Sequence, residues 1–463
     1  MSQSRVTVEH PLREVEGLDH ERCAALHNLI IERGWTVSGR SLSDLDRRSW
    51  WECYGGDTGL SPHAAKLNPS VIAFLKAAWH GYVITAQPQH AFFRYLVGLC
   101  SPGDHWENVH YGDDEDDSNK GRYVTLYMAN WALGASHPLG LVFDQQTSTA
   151  MQHMSIHDTD VTMNGRQVWL PLELILEAFM DMIDQGKALA VDSSYDGEQE
   201  RIEPWIMPSY TVCDLDETLE AFSRLTRAVE TRMPGAPGNE THRLGDVIKS
   251  TSLSPNSFAG QFLARAREIR FSQIAPGLRI ARQQPFSFVN VEEGKIRPIL
   301  LFESSQEAHQ DTERAPWGEE VAMFPFPRPV RGTTNYPAGV YLTEADPHGA
   351  HPFEDGCKFI LPYAIGGNGW ARTSDGALFG ENTHAQGPTA SPVPRSTQLY
   401  QQGFNHFIRT HDVQLKHVLW HWAGMVEQGK WAVDVDGVAG GIEKWREADT
   451  EDHWQDYQLP MTW

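Results

Sequence analysis

Two stretches of the chain carry the same spacing of apolar residues. Ile175, Leu176, Phe179, Met182 and Ile183 correspond to Val418, Leu419, Trp422, Met425 and Val426. Positions i, i+1, i+4, i+7 and i+8 share one face of an α-helix, so each stretch predicts a helix with one buried side. Each then reaches Gln-Gly-Lys, at Gln185-Gly186-Lys187 and Gln428-Gly429-Lys430. Glycine suits the left-handed residue just past a helix end, and lysine complements the helix dipole there. Short apolar tails ending in Val191-Asp192 and Val433-Asp434 follow.

A second recurrence is looser. Phe74-Leu75 leads to Gly81 and a β-rich run, and Phe262-Leu263 leads to Gly277 and another. Both read as a helix stopped by glycine and followed by a strand. Further strands are expected at 122–131, 139–143, 297–302, 339–342 and 358–365. Helices and strands mix without regular βαβ alternation, which predicts an α+β class, or an irregular α/β one. The recurrences predict a pseudo-two-fold duplicated unit with mixed sheets and packed amphipathic helices. The linker Met233-Pro234-Gly235-Ala236-Pro237-Gly238-Asn239 suits neither helix nor strand. It divides the chain into halves at 1–238 and 239–463. The second half carries an insertion near 304–332, where Pro316, Pro325, Pro327 and Pro329 mark irregular structure.

Composition narrows the setting. The 463 residues include 16 Trp and 19 Phe, enough apolar area to close a core without disulfide or metal. The five cysteines, Cys23, Cys53, Cys100, Cys213 and Cys357, are scattered and form no C-x-x-C. Reduced thiols without disulfide partners are expected. No signal-like apolar run opens the sequence and no membrane-length apolar run occurs, which predicts a cytoplasmic protein without a membrane contact. The formal net charge of -23 disfavours non-specific binding of polyanions. The most basic stretch holds Arg265, Arg267, Arg270, Arg279 and Arg282, and reads as an amphipathic surface helix.

Several motifs could carry chemistry. Asp214-Leu215-Asp216-Glu217-Thr218-Leu219 resembles the first motif of haloacid-dehalogenase phosphatases, with Asp214 as nucleophile and Asp216 as general acid. That reading needs the pair at the end of a buried strand. The competing reading has an aspartate capping the helix that follows, both here and at Asp434-Val435-Asp436. His153 and His157, like His417 and His421, are spaced for one helix face but lack the glutamate of a metalloprotease motif. Gly366-Gly367-Asn368-Gly369-Trp370 reads as a turn outside the strand–helix setting of a phosphate loop. The run Asp113-Asp114-Glu115-Asp116-Asp117 packs five carboxylates together, which a fold tolerates when they are solvated or face cations.

The C-terminal sequence at 441–454 (GIEKWREADTEDHW), with 422–436 and 459–463 (LPMTW), resembles the fungal arginine-containing cyclodipeptide synthases. The resemblance implies an enzyme that joins two aminoacyl groups, one arginyl, from charged tRNAs into a diketopiperazine. It also implies a D-D-x-x-E motif, for which Asp113 to Asp117 is the nearest match, ending in Asp instead of Glu. Asp104-His105-Trp106-Glu107 is a partial second match, with Gly103 where the first Asp would stand. On this reading Asp113 and Asp114 take the amine proton and pair with the guanidinium, Asp117 supports them, and Trp106 and Glu107 contact substrate. The partners are aminoacyl-tRNAs, Arg-tRNA and a second one; no metal or cofactor is expected. The competing readings are a phosphatase built on Asp214 and Asp216, and a non-catalytic duplicated binding module.

Overall fold

The computed structural model of the chain describes residues 4–81, 90–106, 121–130, 140–153, 169–197, 199–235, 241–245, 253–285, 297–309, 335–344, 353–376, 378–379, 396–402 and 411–460. These residues form helices and mixed sheets, as an α+β class requires. The chain falls into two compact units, Met1–Pro208 and Ser209–Trp463.

In the first unit, α1 (His20–Val37) opens on Asp19, whose carboxylate accepts from the Arg22 backbone N–H. Leu26, Ile30 and Ile31 make its buried face. Three short helices follow, α2 (Trp50–Cys53), α3 (Gly56–Gly59) and α4 (Ser61–Ala64), then α5 (Pro69–Ala77), which starts on proline. Ser49 and Glu52 form a reciprocal capping box on α2, a device worth about 1 kcal/mol. An antiparallel meander comes next: β1 (Leu96–Leu99), β2 (Tyr123–Ala129), β3 (Gly140–Asp144) and β4 (Thr149–His153). Then come α6 (Leu172–Asp184), packed on α1, and the hairpin β5 (Leu189–Ala190) to β6 (Trp205–Ile206).

The second unit begins with α7 (Val212–Arg232) and α8 (Phe258–Arg265). Its strands are β7 (Gln273–Ala275), β8 (Leu278–Ile280), β9 (Arg297–His309), β10 (Asn335–Glu344), β11 (Cys357–Ile365) and β12 (Ser396–Gln398). After α9 (Leu415–Glu427) come β13 (Val433–Asp434), β14 (Gly437–Val438), a 3-10 helix (Ile442–Asp449) and α10 (Trp454–Tyr457). The sheet order is β12-β11-β10-β9-β8-β7-β14-β13, antiparallel except where β14 meets β7. Trp422, Trp431, Trp445 and Phe359 pack together in the core.

The unit boundary lies some 30 residues before the linker expected at 233–239. The reason is α7: its Leu215, Phe222, Leu225 and Val229 are buried in the same core as Phe262, Trp422 and Val426. The recurrent helix block takes the same form twice. α6 and α9 each run 13 residues and have Gln as the C-cap residue, and glycines with φ of 75° and 72° follow. A short hairpin follows each helix, though β5 and β6 stand as a separate pair while β13 and β14 join the large sheet.

The looser recurrence does not hold. α5 stops at Ala78 and α8 at Ala266, and Gly277 turns β7 into β8 instead of ending a helix. Its φ is +70°, and a Cβ there would lie 2.2 Å from the Ile442 backbone nitrogen, so both conformation and close approach demand glycine. The tail of the first recurrence, 82–89, lies outside the described residues, as do 236–239 of the linker. The expected insertion begins inside β9, which continues to His309 with shifts of register against β10, and 310–332 lies outside the described residues.

Candidate functional site

A cluster of rings forms where α2, α4 and the turn after β1 meet. Trp50, the first residue of α2, is buried and its indole N–H donates to the Cys100 carbonyl at 2.7 Å. The His105 carbonyl accepts from the Thr125 N–H of β2 at 3.0 Å, which pins the turn that follows β1. The His105 ring is thereby laid flat on Trp50, with centroids 5.3 Å apart and planes 8° from parallel. From α4, His63 reaches across so that its Nε2 lies 3.0 Å from His105 Nδ1. Trp106 closes the cluster, its ring 4.6 Å from that of His63. The Lys66 ammonium sits over the Trp106 face at 5.0 Å.

Burial, then the neighbouring His63, pushes His105 down to about 3. Burial, then Lys66, lowers His63 as well. Both rings are therefore neutral near pH 7, and one nitrogen of the contact carries the hydrogen that the other accepts. His105 is fully buried, whereas His63 is half-buried. The arrangement offers a neutral imidazole oriented by a second one, which is the equipment of a proton acceptor. Trp106 shows that its ring can hold a cation on one face. Its indole N–H has no hydrogen-bond partner among the described residues. Nearby, Asp104 accepts from the Ser101 hydroxyl at 2.7 Å, and Tyr54 lies 3.3 Å from His80 Nε2 through its hydroxyl.

Of the residues expected to form the site, the structure places Trp106. Glu107, Asp113, Asp114 and Asp117 lie outside the described residues. No motif in the sequence joins His63 to His105. They stand 42 residues apart on different elements, so no local spacing marks them.

The other motifs resolve differently. Asp214 occupies the first turn of α7, where its carboxylate accepts from the backbone and hydroxyl of the N-cap Thr211. Lys416 Nζ also reaches it at 2.9 Å and bridges to Glu217 at 2.7 Å. The strand end that the phosphatase reading demands is absent there, and Asp216 pairs instead with Arg265. The capping expectation holds for Asp214 as the reciprocal member of the box. At Asp434 it does not: that residue closes the β13–β14 hairpin by accepting from the Asp436 N–H.

Near Asp214 lies a buried trio: His411 Nε2 is 2.8 Å from Asp355 Oδ1, and Gln414 donates to Asp355 Oδ2 at 2.6 Å. His153 is on β4, not on a helix, and His157 lies outside the described residues. His417 and His421 do share α9. The basic stretch is not one helix. It runs from the end of α8 through β7 and β8, and Arg265, Arg267 and Arg279 pair with Asp216, Glu230 and Glu303.

The glycine turn after β11 is filled from within. Asp449 accepts from the backbone N–H groups of Gly366, Asn368, Trp370 and Ala371 at 2.8 to 3.0 Å. Such a concave row of amides is an anion site, and here the protein's own carboxylate occupies it.

All five cysteines are free thiols. Among the described residues no three or more His, Cys, Asp or Glu side chains are grouped to hold a metal ion, and no helix is long and apolar enough to cross a membrane. In comparisons with known proteins, the chain matches no family model, no curated protein and no solved structure.

Proposed function

We propose that the chain is an arginine-containing cyclodipeptide synthase that draws two aminoacyl groups from charged tRNAs. The observation that carries this reading is the neutral His63–His105 pair beside Trp106, at the point where the sequence enters the acidic run Asp113 to Asp117. The likeness of the 441–454 sequence to that family supports it.

The chemistry asks for few parts. The α-amine of one aminoacyl ester, once neutral, attacks the carbonyl of the other, and a tRNA hydroxyl leaves. The second amine then attacks the remaining ester, the ring closes and the second tRNA hydroxyl leaves. Each step needs a base for the ammonium proton, and a proton must reach each departing alkoxide. His63 is equipped for the first task, since burial keeps it neutral and His105 orients it. Trp106 offers a face for the arginyl guanidinium, and Asp113 and Asp114 supply its counter-charge, with Glu107 and Asp117 beside them in sequence.

Expression in a host that supplies charged tRNAs, followed by mass spectrometry of the medium, tests this directly. A new arginine-containing diketopiperazine that disappears with Asp114→Ala is the expected result. Well-folded protein that forms no such product would remove the reading.

A further inference from the structure

In the second unit, α7 and α9 lie side by side and leave an open groove of about 560 Å³ near their C-terminal halves. On α7, Ser223, Arg224, Arg227 and Arg232 line it; Trp420 and Glu427 line it from α9. Arg224 and Arg227, three residues apart, lie on one side of α7, and Arg232 reaches the groove from the last turn of the helix.

The three arginines are not equivalent. Arg224 is committed: it grips Glu427 through two hydrogen bonds of 2.8 and 2.5 Å and lies over the Trp420 ring at 4.5 Å. Arg232 donates to the backbone carbonyls of Ala228 and Glu427 at 3.2 and 2.9 Å. Its charge therefore offsets the negative ends of both helices and also favours the charged Glu427 carboxylate, without an ion-pair contact to any carboxylate among the described residues. Arg227 is exposed and has no ion pair among the described residues. Glu220, also at the groove, is the second acidic group beside Glu427.

The chain as a whole carries a formal net charge of -23, so a polyanion needs a local cationic surface. Elsewhere in the unit, Arg265, Arg267 and Arg279 are each paired with a carboxylate, while the exposed Arg270 and Arg282 stand singly without an aromatic groove beside them among the described residues. Here Arg227 and Arg232 have no ion-pair contact among the described residues, and they stand beside an aromatic ring and the Ser223 hydroxyl, the Thr231 hydroxyl being donated to the Arg227 carbonyl. Guanidinium forks match phosphate oxygens in a bidentate way, hydroxyls donate to the same oxygens, and an indole beside them accepts a stacked base.

We infer that the α7–α9 groove is a binding surface for RNA phosphodiesters, with Arg227 and Arg232 as the phosphate contacts and Arg224 held in place by Glu427 and Trp420. This rests on the tRNA-dependent reading above and deepens it, because it names where a polyacidic protein receives a polyanion. A focused patch outweighs net charge over distances of about a Debye length.

The test is binding of fluorescently labelled, deacylated tRNA to the full chain across a series of salt concentrations. Arg227→Glu is the primary variant, because no described partner depends on that side chain. Arg227→Glu with Arg232→Gln is the second, each checked for native thermal unfolding. The expected result is tRNA binding that weakens about tenfold in Arg227→Glu, with the salt slope falling by about one for each phosphate contact removed.

Unchanged affinity and slope in folded variants would overturn the proposal, as would absence of tRNA binding by the unaltered chain. Binding of polyglutamate in place of tRNA would overturn it in favour of an acidic protein partner. Product formation is read separately. Diketopiperazine formed by the unaltered chain, with Arg227→Glu binding tRNA normally, leaves the reaction and removes the groove. Arg227-dependent tRNA binding without product leaves the groove and removes the reaction.

Discussion

His63 and His105 meet through ring nitrogens 3.0 Å apart, with His105 stacked on Trp50. Two imidazoles so close cannot both be protonated without strong repulsion, and burial opposes even the first charge. The pair is thus both a proton-accepting device and a liability in acid.

Acid should accordingly weaken the first unit. His105 falls to about 3, and burial brings His27 and His90 to about 4, each from an ordinary value near 6.5. A histidine whose folded value is depressed is fully stabilising above its unfolded value. It loses that contribution as pH falls toward the folded value, because the unfolded chain binds the proton more tightly. For His27 alone the span corresponds to about 3 kcal/mol. Thermal unfolding followed at pH 7, 6, 5 and 4 should show a steadily falling midpoint for this unit, and His105→Gln should flatten the slope.

Trp106→Phe should retain more diketopiperazine formation than Trp106→Ala, since a phenyl ring keeps part of the cation-holding face and a methyl group keeps none. Yields measured by mass spectrometry at matched protein levels decide it, and equal losses in both variants would point to the indole N–H instead.

Asp449 holds four backbone amides, and its replacement should be costly. Burial alone pushes its carboxyl up, but those N–H groups overcome this and hold it below the usual carboxylate range. Asp449→Ala leaves four donors without their acceptor, those of Gly366 and Ala371 buried and those of Asn368 and Trp370 partly so, a loss of about 2–4 kcal/mol. Asp449→Asn should lose less. Urea unfolding would measure both, and the difference from the unaltered protein should vanish below the ordinary aspartate range, where Asp449 itself becomes protonated.

Asp214→Ala should destabilise the second unit by about 3 kcal/mol, because Lys416 loses one of two carboxylates in a largely buried position. Lys416→Met should recover much of that loss in the double variant. No phosphate release from a substrate panel is expected from either form. A double-mutant cycle read by denaturant unfolding gives the coupling.

What the sequence made legible was local. The 3.6-residue rhythm of Ile175 to Ile183 and of Val418 to Val426 marked both 13-residue helices, and the glycines at 186 and 429 marked their ends. The alternation and branching of 358–365 marked β11 almost to the residue. What depended on distant partners was hidden. Nothing near Gly277 announces Ile442, nothing near Gly366 announces Asp449, and the His63–His105 contact joins elements separated by α5. The proline-glycine linker after α7 is visible in sequence, whereas the core that α7 shares with Phe262 and Trp422 is not.

The dependence of the second unit on residues 433–449 has a consequence for synthesis. A chain emerging from the ribosome has the whole of the first unit's sequence in hand once Pro208 is out. The second unit must wait: β7 lacks its neighbour until Gly437 arrives, Pro276 lacks its indole donor until Trp445 arrives, and the turn at Gly366 stays open until Asp449 arrives. During that interval the edge of β7 and the amide-lined turn are unprotected, which makes this the period when a chaperone has something to hold.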